Sequence, residues 1–259
     1  MEKPDLKQMF RNEINLRDMG GYRTQDSRTI RTGMIYRSGG LFLMNKQELQ
    51  NLDSLHLKLI LDLRSTMEAE RKPDPQIAGV EYMQTSGVLN KYGKEIDFSP
   101  TGMRQLGDEA RQKVQNLKHY YMEMPYDNKA FHILFEQLLS GNTPLLFHCA
   151  AGKDRTGVAA MLVLKAPGVS DEVTIQDYLL SNEYMDDRIR QYMKAEKEMI
   201  SQDPLFGELA YMRKGVRKEV GVMVLEGIKA RSGSYERFFR IEYGIGPAEL
   251  AALRLQYLE

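Results

Sequence analysis

The stretch from Thr143 to Lys165 constrains the fold of this chain more than any other. Thr-Pro-Leu-Leu-Phe at 143–147 is short and apolar and follows Gly141-Asn142, the pattern of a buried parallel strand. Thr156 to Lys165 has a helical pattern and is stopped by Pro167-Gly168. Between them, His148-Cys149-Ala150-Ala151-Gly152-Lys153-Asp154-Arg155 holds the chain's only cysteine, six residues before an arginine. Residues 149–155 are therefore expected to form the turn from a strand's carboxyl end into a helix amino terminus. Backbone N–H groups and the positive end of a helix dipole converge at such a turn.

That geometry suits a phosphoryl group, with the amides of residues 150 to 155 around it and the planar Arg155 guanidinium clamping it in bidentate fashion. The same field favours a thiolate over a thiol, which makes Cys149 a nucleophile. A buried inert cysteine is the bland alternative, and the surrounding loop argues against it.

His-Cys-x5-Arg followed by Thr-Gly resembles the signature of the cysteine-dependent phosphatase superfamily, and Gly-Lys-Asp-Arg at 152–155 resembles a narrower group, the bacterial tyrosine/lipid phosphatases. Asn15 to Tyr22, Ile35 to Gly39 and Leu61 to Ser65 resemble that group's amino-terminal blocks, in the same order. Gly168 to Ser170, Asp177 to Asn182 and the tail from Gly233 to Arg254 resemble its later segments, so the likeness spans roughly residues 12 to 257.

The organisation of the chain agrees. Candidate strands are Met34 to Arg37, Leu57 to Leu63, Val80 to Thr85 and Pro144 to His148, with a helical Lys46 to Leu55 between the first two. This alternation predicts an α/β fold: a central, mainly parallel β-sheet flanked by helices, with ligands at the strands' carboxyl ends. The length of 259 residues suits one domain over 1–259. The carboxyl half is helical in pattern. Met103, Leu106, Ala110, Val114, Leu117 and Tyr121 mark one amphipathic helix, and Met185, Ile189, Tyr192, Met193 and Met199 or Ile200 mark another. Segment 87–103 lacks periodicity and follows a strand, so it is a lid expected to border the pocket. Segment 184–215 is a second lid candidate, whose methionines are read first as core packing.

Lys plus Arg equals Asp plus Glu at 36 each, so no global field draws the chain to nucleic acid or anionic lipid. No apolar run approaches a membrane span, and Met1 to Lys7 lacks the apolar centre of a signal peptide. A single cysteine forms no internal disulfide, as in a cytoplasmic protein or one exported without a recognisable signal. His56, His119 and His132 have no ligand partners at metal-binding spacing, so neither a metal nor an organic cofactor is expected.

The resemblance implies the roles. Cys149 attacks phosphorus and forms a phosphocysteine, while Arg155 and the loop amides stabilise the equatorial oxygens. Asp154 stands where the narrower group carries an aspartate assigned as general acid, Asp62 at a strand end comes second and Asp97 third. There is no tryptophan, hence no Trp-Pro-Asp loop to supply the acid. The alternative for Asp154 is a cap or salt bridge holding the loop. Lys153 is placed to meet a second phosphate on an inositol ring, or else to pair with a carboxylate. His148 fixes the loop, Thr156 helps the sulfur leave, and Ala150, Ala151 and Gly152 line the phosphate. Arg64, with Arg37, either adds charge at the rim or forms structural ion pairs. Asn15 to Tyr22 is architectural, with a tight turn at Gly20-Gly21 and a candidate internal pair Arg17-Asp18.

The expected activity is hydrolysis of phosphoric monoesters, on phosphotyrosine or on phosphoinositides, with a phosphorylated protein or phosphoinositide as partner. Oligomeric state has no signature in the sequence. Two other classes compete: a phosphate-binding module without turnover, and a rhodanese-like sulfurtransferase. Cys149 together with Asp154 opposes the first, and His148, Arg155 and the following Thr-Gly oppose the second.

Overall fold

The computed structural model describes residues 5–87, 110–202 and 204–259. Lid segment 87–103 thus lies, from residue 88 onward, outside the described residues, as do Asp97, Met103 and Leu106. The strands are β1 (Arg17–Asp18), β2 (Ile35–Ser38), β3 (Leu59–Asp62), β4 (Glu81–Gln84) and β5 (Leu145–His148). They form one sheet in the order β1-β2-β5-β3-β4, with β1 antiparallel to β2 and the other pairs parallel. The mainly parallel sheet expected from the alternation is present. Two-residue β1 was not legible, since so short a strand carries no periodicity.

The helices are α1 (Leu6–Met9), α2 (Lys46–Asn51), α3 (Thr66–Arg71), α4 (Ala110–Glu123), α5 (Lys129–Leu139), α6 (Arg155–Lys165), α7 (Asp171–Tyr184), α8 (Asp186–Ala195), α9 (Lys197–Gln202), α10 (Pro204–Lys214), α11 (Lys218–Ser232), α12 (Tyr235–Tyr243) and α13 (Pro247–Tyr257). The apolar pattern expected over 185–200 is divided between α8 and α9, and the helical stretch expected to Leu55 ends as a 3-10 turn over Leu52–Leu55.

Strand residues alternate between two cores, as the period of two requires. Ile35, Leu59, Leu61, Leu145 and Phe147 enter one cluster with residues of α5, α6, α7 and α11 to α13. Tyr36, Ile60 and Leu146 enter the other, with Phe10, Ile14, Leu16, Leu41, Leu52 and Leu55. Both faces are therefore covered, which explains why the strands read as continuous apolar runs rather than alternating ones. Helix α6 is buried along its whole length, as its all-round apolar sequence implies.

Register places the site. Ser38 and Asp62 both lie opposite His148, and Asp62 lies opposite Gln84. Four parallel strands thus end at one edge, and the Cys149 loop leaves from that edge. Methionines of segment 184–215 pack inward in part, with Met185 and Met212 buried and Met212 in the larger core.

Candidate active site

Residues 149–154 connect β5 to α6 in a loop held from outside. The Gly40 N–H donates to the Ala150 carbonyl at 3.3 Å. Asn15 Nδ2 donates to the carbonyls of Ala151 at 3.2 Å and Gly152 at 3.0 Å, and Arg37 Nη2 donates to Gly152 at 2.9 Å. A trans peptide unit points its N–H opposite its C=O. With those three carbonyls turned outward, the N–H groups of Ala151, Gly152 and Lys153 point to the loop's inner side. Among the described residues, no backbone N–H from 150 to 155 donates to a protein acceptor. Buried backbone donors are nearly always paired, so this inner side is built for an anion.

Gly152 makes the turn possible. Its φ is +68°, and an added Cβ would sit 2.4 Å from the Ser38 carbonyl oxygen and 2.6 Å from the Gly39 nitrogen. Only glycine combines that left-handed backbone with that approach.

A buried charge network holds the anchors. Asp177 of α7 accepts from Arg17 Nε at 3.0 Å, Arg37 Nη1 at 2.6 Å and the Tyr22 hydroxyl at 2.9 Å. Arg17 also donates to Asn15 Oδ1 at 2.6 Å. Burial would raise the Asp177 pKa, but the two guanidinium groups outweigh it and hold it below the usual carboxylate range. Burial, then repulsion from Arg17, pushes Arg37 down to about 10. The expected pair Arg17-Asp18 is corrected: Arg17 bonds Asp177, while Asp18 accepts from the backbone N–H groups of Gly20 and Gly33.

Arg155 is braced from behind. Its Nη1 and Nη2 meet Glu68 Oε2 at 2.5 Å and Oε1 at 2.9 Å, in fork-to-fork geometry. Glu68 is the third residue of α3 and closes a capping box with Ser65, which fixes its carboxylate. Burial would lower the Arg155 pKa; the nearby Cys149 sulfur and Glu68 reverse this and raise it. The sequence reading missed Glu68. Ser65-x-x-Glu68 signals a helix start, and nothing local couples it to a residue 87 positions away.

Cys149 is buried at the mouth of this loop, and Thr156 is fully buried with its hydroxyl unpaired. His148 lies beneath, its Nδ1 3.3 Å from the Cys149 carbonyl oxygen and its Nε2 3.3 Å from Asp74. Asp154 is partly exposed; its Oδ1 accepts from Lys153 Nζ at 2.7 Å and from the Tyr121 hydroxyl. It stands at the amino end of α6 without making a side-chain cap, so of its two structural alternatives the salt bridge is present and the cap is not.

Two expectations need correction. Asp62 is fully buried and accepts from the Arg64 backbone and guanidinium and from the Tyr82 hydroxyl. Burial would raise its pKa, but charge from His148 and Arg64 outweighs this and lowers it. A carboxylate so held stays ionised and has no proton for a leaving group. Arg64 in turn is 1 % exposed, bonded to Asp62 and to Asp74 at 2.6 Å, with the Phe42 ring on its face. It is a structural ion pair and not a substrate contact. Asp62, Asp74 and His148 come close enough to hold a metal ion, yet the Arg64 guanidinium already supplies the positive charge between both carboxylates.

A mainly parallel sheet thus ends in a braced Cys-x5-Arg loop whose inner N–H groups suit an anion. The chain belongs to the tyrosine phosphatase family, whose model matches residues 9–259. It is 31% identical over 169 residues to a Cupriavidus necator protein whose name places it among the tyrosine-protein phosphatases. That match covers 65% of this chain and 60% of the relative's length. It is 28% identical over 207 residues to the triple specificity protein phosphatase PtpB of Mycobacterium tuberculosis, covering 73% of this chain and 72% of that protein. Among solved structures, the core catalytic domain of the PP-IP phosphatase SIW14 from S. cerevisiae, in complex with citrate, aligns with a TM-score of 0.33 and 16% identity, over 72% of this chain and 93% of that one.

Proposed function

We propose that the protein hydrolyses phosphoric monoesters through a phosphocysteine. The reading rests on one observation above others: a loop whose carbonyls are pulled outward by Asn15, Arg37 and Gly40, leaving its N–H groups without protein acceptors beside a braced Arg155. A phosphoryl group satisfies those donors and the outer edge of the guanidinium together.

In the first step the Cys149 thiolate attacks phosphorus in line, an S–P bond forms and the ester P–O bond breaks. The leaving oxygen takes the Asp154 proton. In the second step Asp154, now a carboxylate, removes a proton from water, whose oxygen displaces sulfur. Phosphate leaves and the thiolate returns. The unpaired Thr156 hydroxyl is available to donate to the departing sulfur. Among the described carboxylates near the loop, Asp62 is fully buried and Glu68 binds the Arg155 guanidinium with both oxygens, whereas Asp154 is partly exposed in the loop itself, which favours Asp154 as the acid.

The substrates are phosphotyrosine, phosphoinositides or both. The family supports phosphotyrosine, and the Mycobacterium relative is named as a protein phosphatase of triple specificity; phosphoinositides rest on the likeness of the loop sequence. Residues 1–259 act as one domain. Phosphate release from phosphotyrosine, phosphoserine and phosphothreonine peptides and from phosphoinositides tests the proposal, with Cys149→Ser as the blank. Turnover that disappears in the blank is expected. Silence across the panel from folded protein would refute the enzymatic reading and leave a binding module. Mild peroxide should also inactivate the enzyme reversibly at Cys149.

A further inference from the structure

The Cys149 carbonyl oxygen belongs to the peptide unit that carries the Ala150 N–H, the loop donor next to the nucleophile. Among the described residues no backbone N–H donates to that oxygen. His148 Nδ1 meets it at 3.3 Å. In a trans peptide the N–H points opposite the C=O, so a carbonyl drawn toward the buried ring sends the Ala150 N–H to the inner side of the loop. A ring nitrogen draws a carbonyl only when it carries a proton, and a neutral imidazole has one proton for two nitrogens. Which nitrogen holds it therefore decides whether the Ala150 amide is oriented.

The other nitrogen faces Asp74. Among the described residues His148 Nε2 has no aligned hydrogen bond, and Asp74 Oδ2 lies 3.3 Å from it. Asp74 follows α3 and is pinned: Oδ1 accepts from the Phe42 N–H at 2.8 Å, and Oδ2 from Arg64 Nη2 at 2.6 Å. Arg64 is fixed in turn by the Lys72 carbonyl at 2.7 Å and by the Phe42 ring on its face. The side chains of His148, Arg64 and Asp74 are all interior. Asp62 stands on the Nδ1 side at 3.7 Å, beyond hydrogen-bond reach, and its oxygens are taken by Arg64 and the Tyr82 hydroxyl.

A carboxyl group at Nε2 lets the Asp74 and His148 pair keep one proton between Oδ2 and Nε2, on either atom. The Nδ1 proton is then left for the Cys149 carbonyl. Burial outweighs the charges of His148 and Arg64 and raises the Asp74 pKa, which helps the pair retain its proton.

We propose that Asp74 is a positioning residue: through His148 it keeps a proton on Nδ1, fixes the Cys149–Ala150 peptide and aims the Ala150 N–H at the phosphoryl group. Asp74 touches no reacting atom. The catalytic consequence rests on the phosphatase reading, and it adds to the loop a donor whose direction is set from a residue 74 positions before His148 in the chain.

Imidazole 15N NMR of the wild-type chain near pH 7 reads the ring protons directly. A protonated His148 Nδ1 is expected, and a bare Nδ1 overturns the inference even where a variant fails to fold. Asp74→Asn keeps an oxygen for the Phe42 N–H and removes the carboxyl group. It should deplete the Nδ1 proton, move the Ala150 amide resonance, and lower kcat on p-nitrophenyl phosphate about tenfold with little change in KM. Outright loss of an oxyanion donor costs more, about 10²–10³. A slowed variant with unchanged His148 and Ala150 signals would make Asp74 a structural residue only and overturn the inference. His148→Asn places an amide N–H near the Nδ1 position, so adding Asp74→Asn to it should cost no further activity. Additive losses mean that Asp74 does not act through the ring, which also overturns it.

Titration with inorganic phosphate separates this inference from the reading beneath it. The Ala150 amide should shift on binding, and shift less in Asp74→Asn. An Ala150 amide that phosphate leaves unmoved in the folded wild type overturns the inference whether or not the protein turns over. A wild type that binds phosphate in this way yet releases none from p-nitrophenyl phosphate sinks the phosphatase reading and supports the orientation of the amide alone.

Discussion

Replacing Gly152 by alanine tests whether the anion loop is held by its backbone geometry. Two penalties can be separated by comparison with Gly21. Gly21 has φ +87° and open space around a built Cβ, so Gly21→Ala meets only the left-handed backbone penalty, about 1–2 kcal/mol. Gly152 has φ +68° and a Cβ that would lie 2.4–2.6 Å from atoms of Ser38 and Gly39, at the end of a central strand. Those are backbone atoms, with the Gly39 N–H bonded to the Ile14 carbonyl at 2.7 Å, and cannot swing aside as a side chain can. Overpacking of this kind adds about 1–3 kcal/mol, giving a total of about 2–5 kcal/mol. Relief comes only by lifting Gly152 away from Ser38, which breaks the bonds from Asn15 and Arg37 and turns the next N–H off the phosphate. Loss of one such donor costs about 10²–10³ in turnover. Urea unfolding of both variants, read with phosphate release, should show Gly152→Ala less stable than Gly21→Ala and at least about a hundredfold slower than wild type. Equal stabilities, or turnover within a few fold of wild type, would show that the loop tolerates a shifted backbone and that the argument from its outward carbonyls is wrong.

Glu68→Gln removes the charge that braces Arg155 and one of its two acceptors, so kcat should fall about 10–100-fold, corresponding to loss of one charged hydrogen bond, with little change in KM. Steady-state kinetics on a single monophosphate decide it, and an unchanged kcat would mean that Arg155 orients itself. Asp154→Asn should slow substrates with poor leaving groups while sparing those with good ones, whereas Asp62→Asn should slow all substrates equally and lower the unfolding free energy by about 3 kcal/mol, because Arg64 loses a buried partner. The opposite pattern across a leaving-group series would exchange their roles. Asp62, Glu68 and Asp177 all have pKa values lowered on folding. Their stabilisation is complete above the ordinary carboxylate range, near pH 4–5, and is lost as pH falls toward the folded values. Thermal unfolding between pH 7 and pH 3 should therefore show a falling Tm, with a shallower fall in Asp177→Asn; parallel curves would contradict the linkage.

What was legible in the sequence was local. The strand-loop-helix from Leu145 to Lys165 lies within one stretch of chain, so its pattern and its chemistry could be read together. The parallel strands showed as apolar runs because both faces of the sheet are covered. The order β1-β2-β5-β3-β4 was not legible, since it depends on which elements pack across the sheet and not on the pattern of any one strand. The site divides in the same way. Cys149, Asp154 and Arg155 come from the loop itself, while the groups that hold it arrive from a distance: Asp177 bonds Arg37 across 140 residues and Arg17 across 160. Of the two readings of Lys153, the carboxylate partner is present in Asp154, while its second partner, the Met212 carbonyl, was not legible because it is 59 residues away. Position at a strand's carboxyl end was also too coarse a guide for Asp62 and Arg64. Both stand at the expected edge, yet they satisfy each other in the interior.

The buried ions around the loop follow one rule, which explains why they are there. Arg17, Arg37 and Arg64 lie against Asp62, Asp74 and Asp177 in the interior. Such pairs contribute little net stability, because desolvation offsets their attraction. Hydrophobic replacements of the same volume would serve folding as well. What they could not do is donate to carbonyls. Arg37 reaches from Asp177 to the Gly152 carbonyl, and Arg17 reaches from Asp177 to Asn15, which holds the carbonyls of Ala151 and Gly152. On the other flank Asp62 and Asp74 face His148, whose ring meets the Cys149 carbonyl. Each cluster thus ends on an oxygen of the loop. Turning those oxygens outward is what turns the opposite N–H groups inward, so the buried charge fixes the direction of dipoles that are then already aligned when a phosphate arrives.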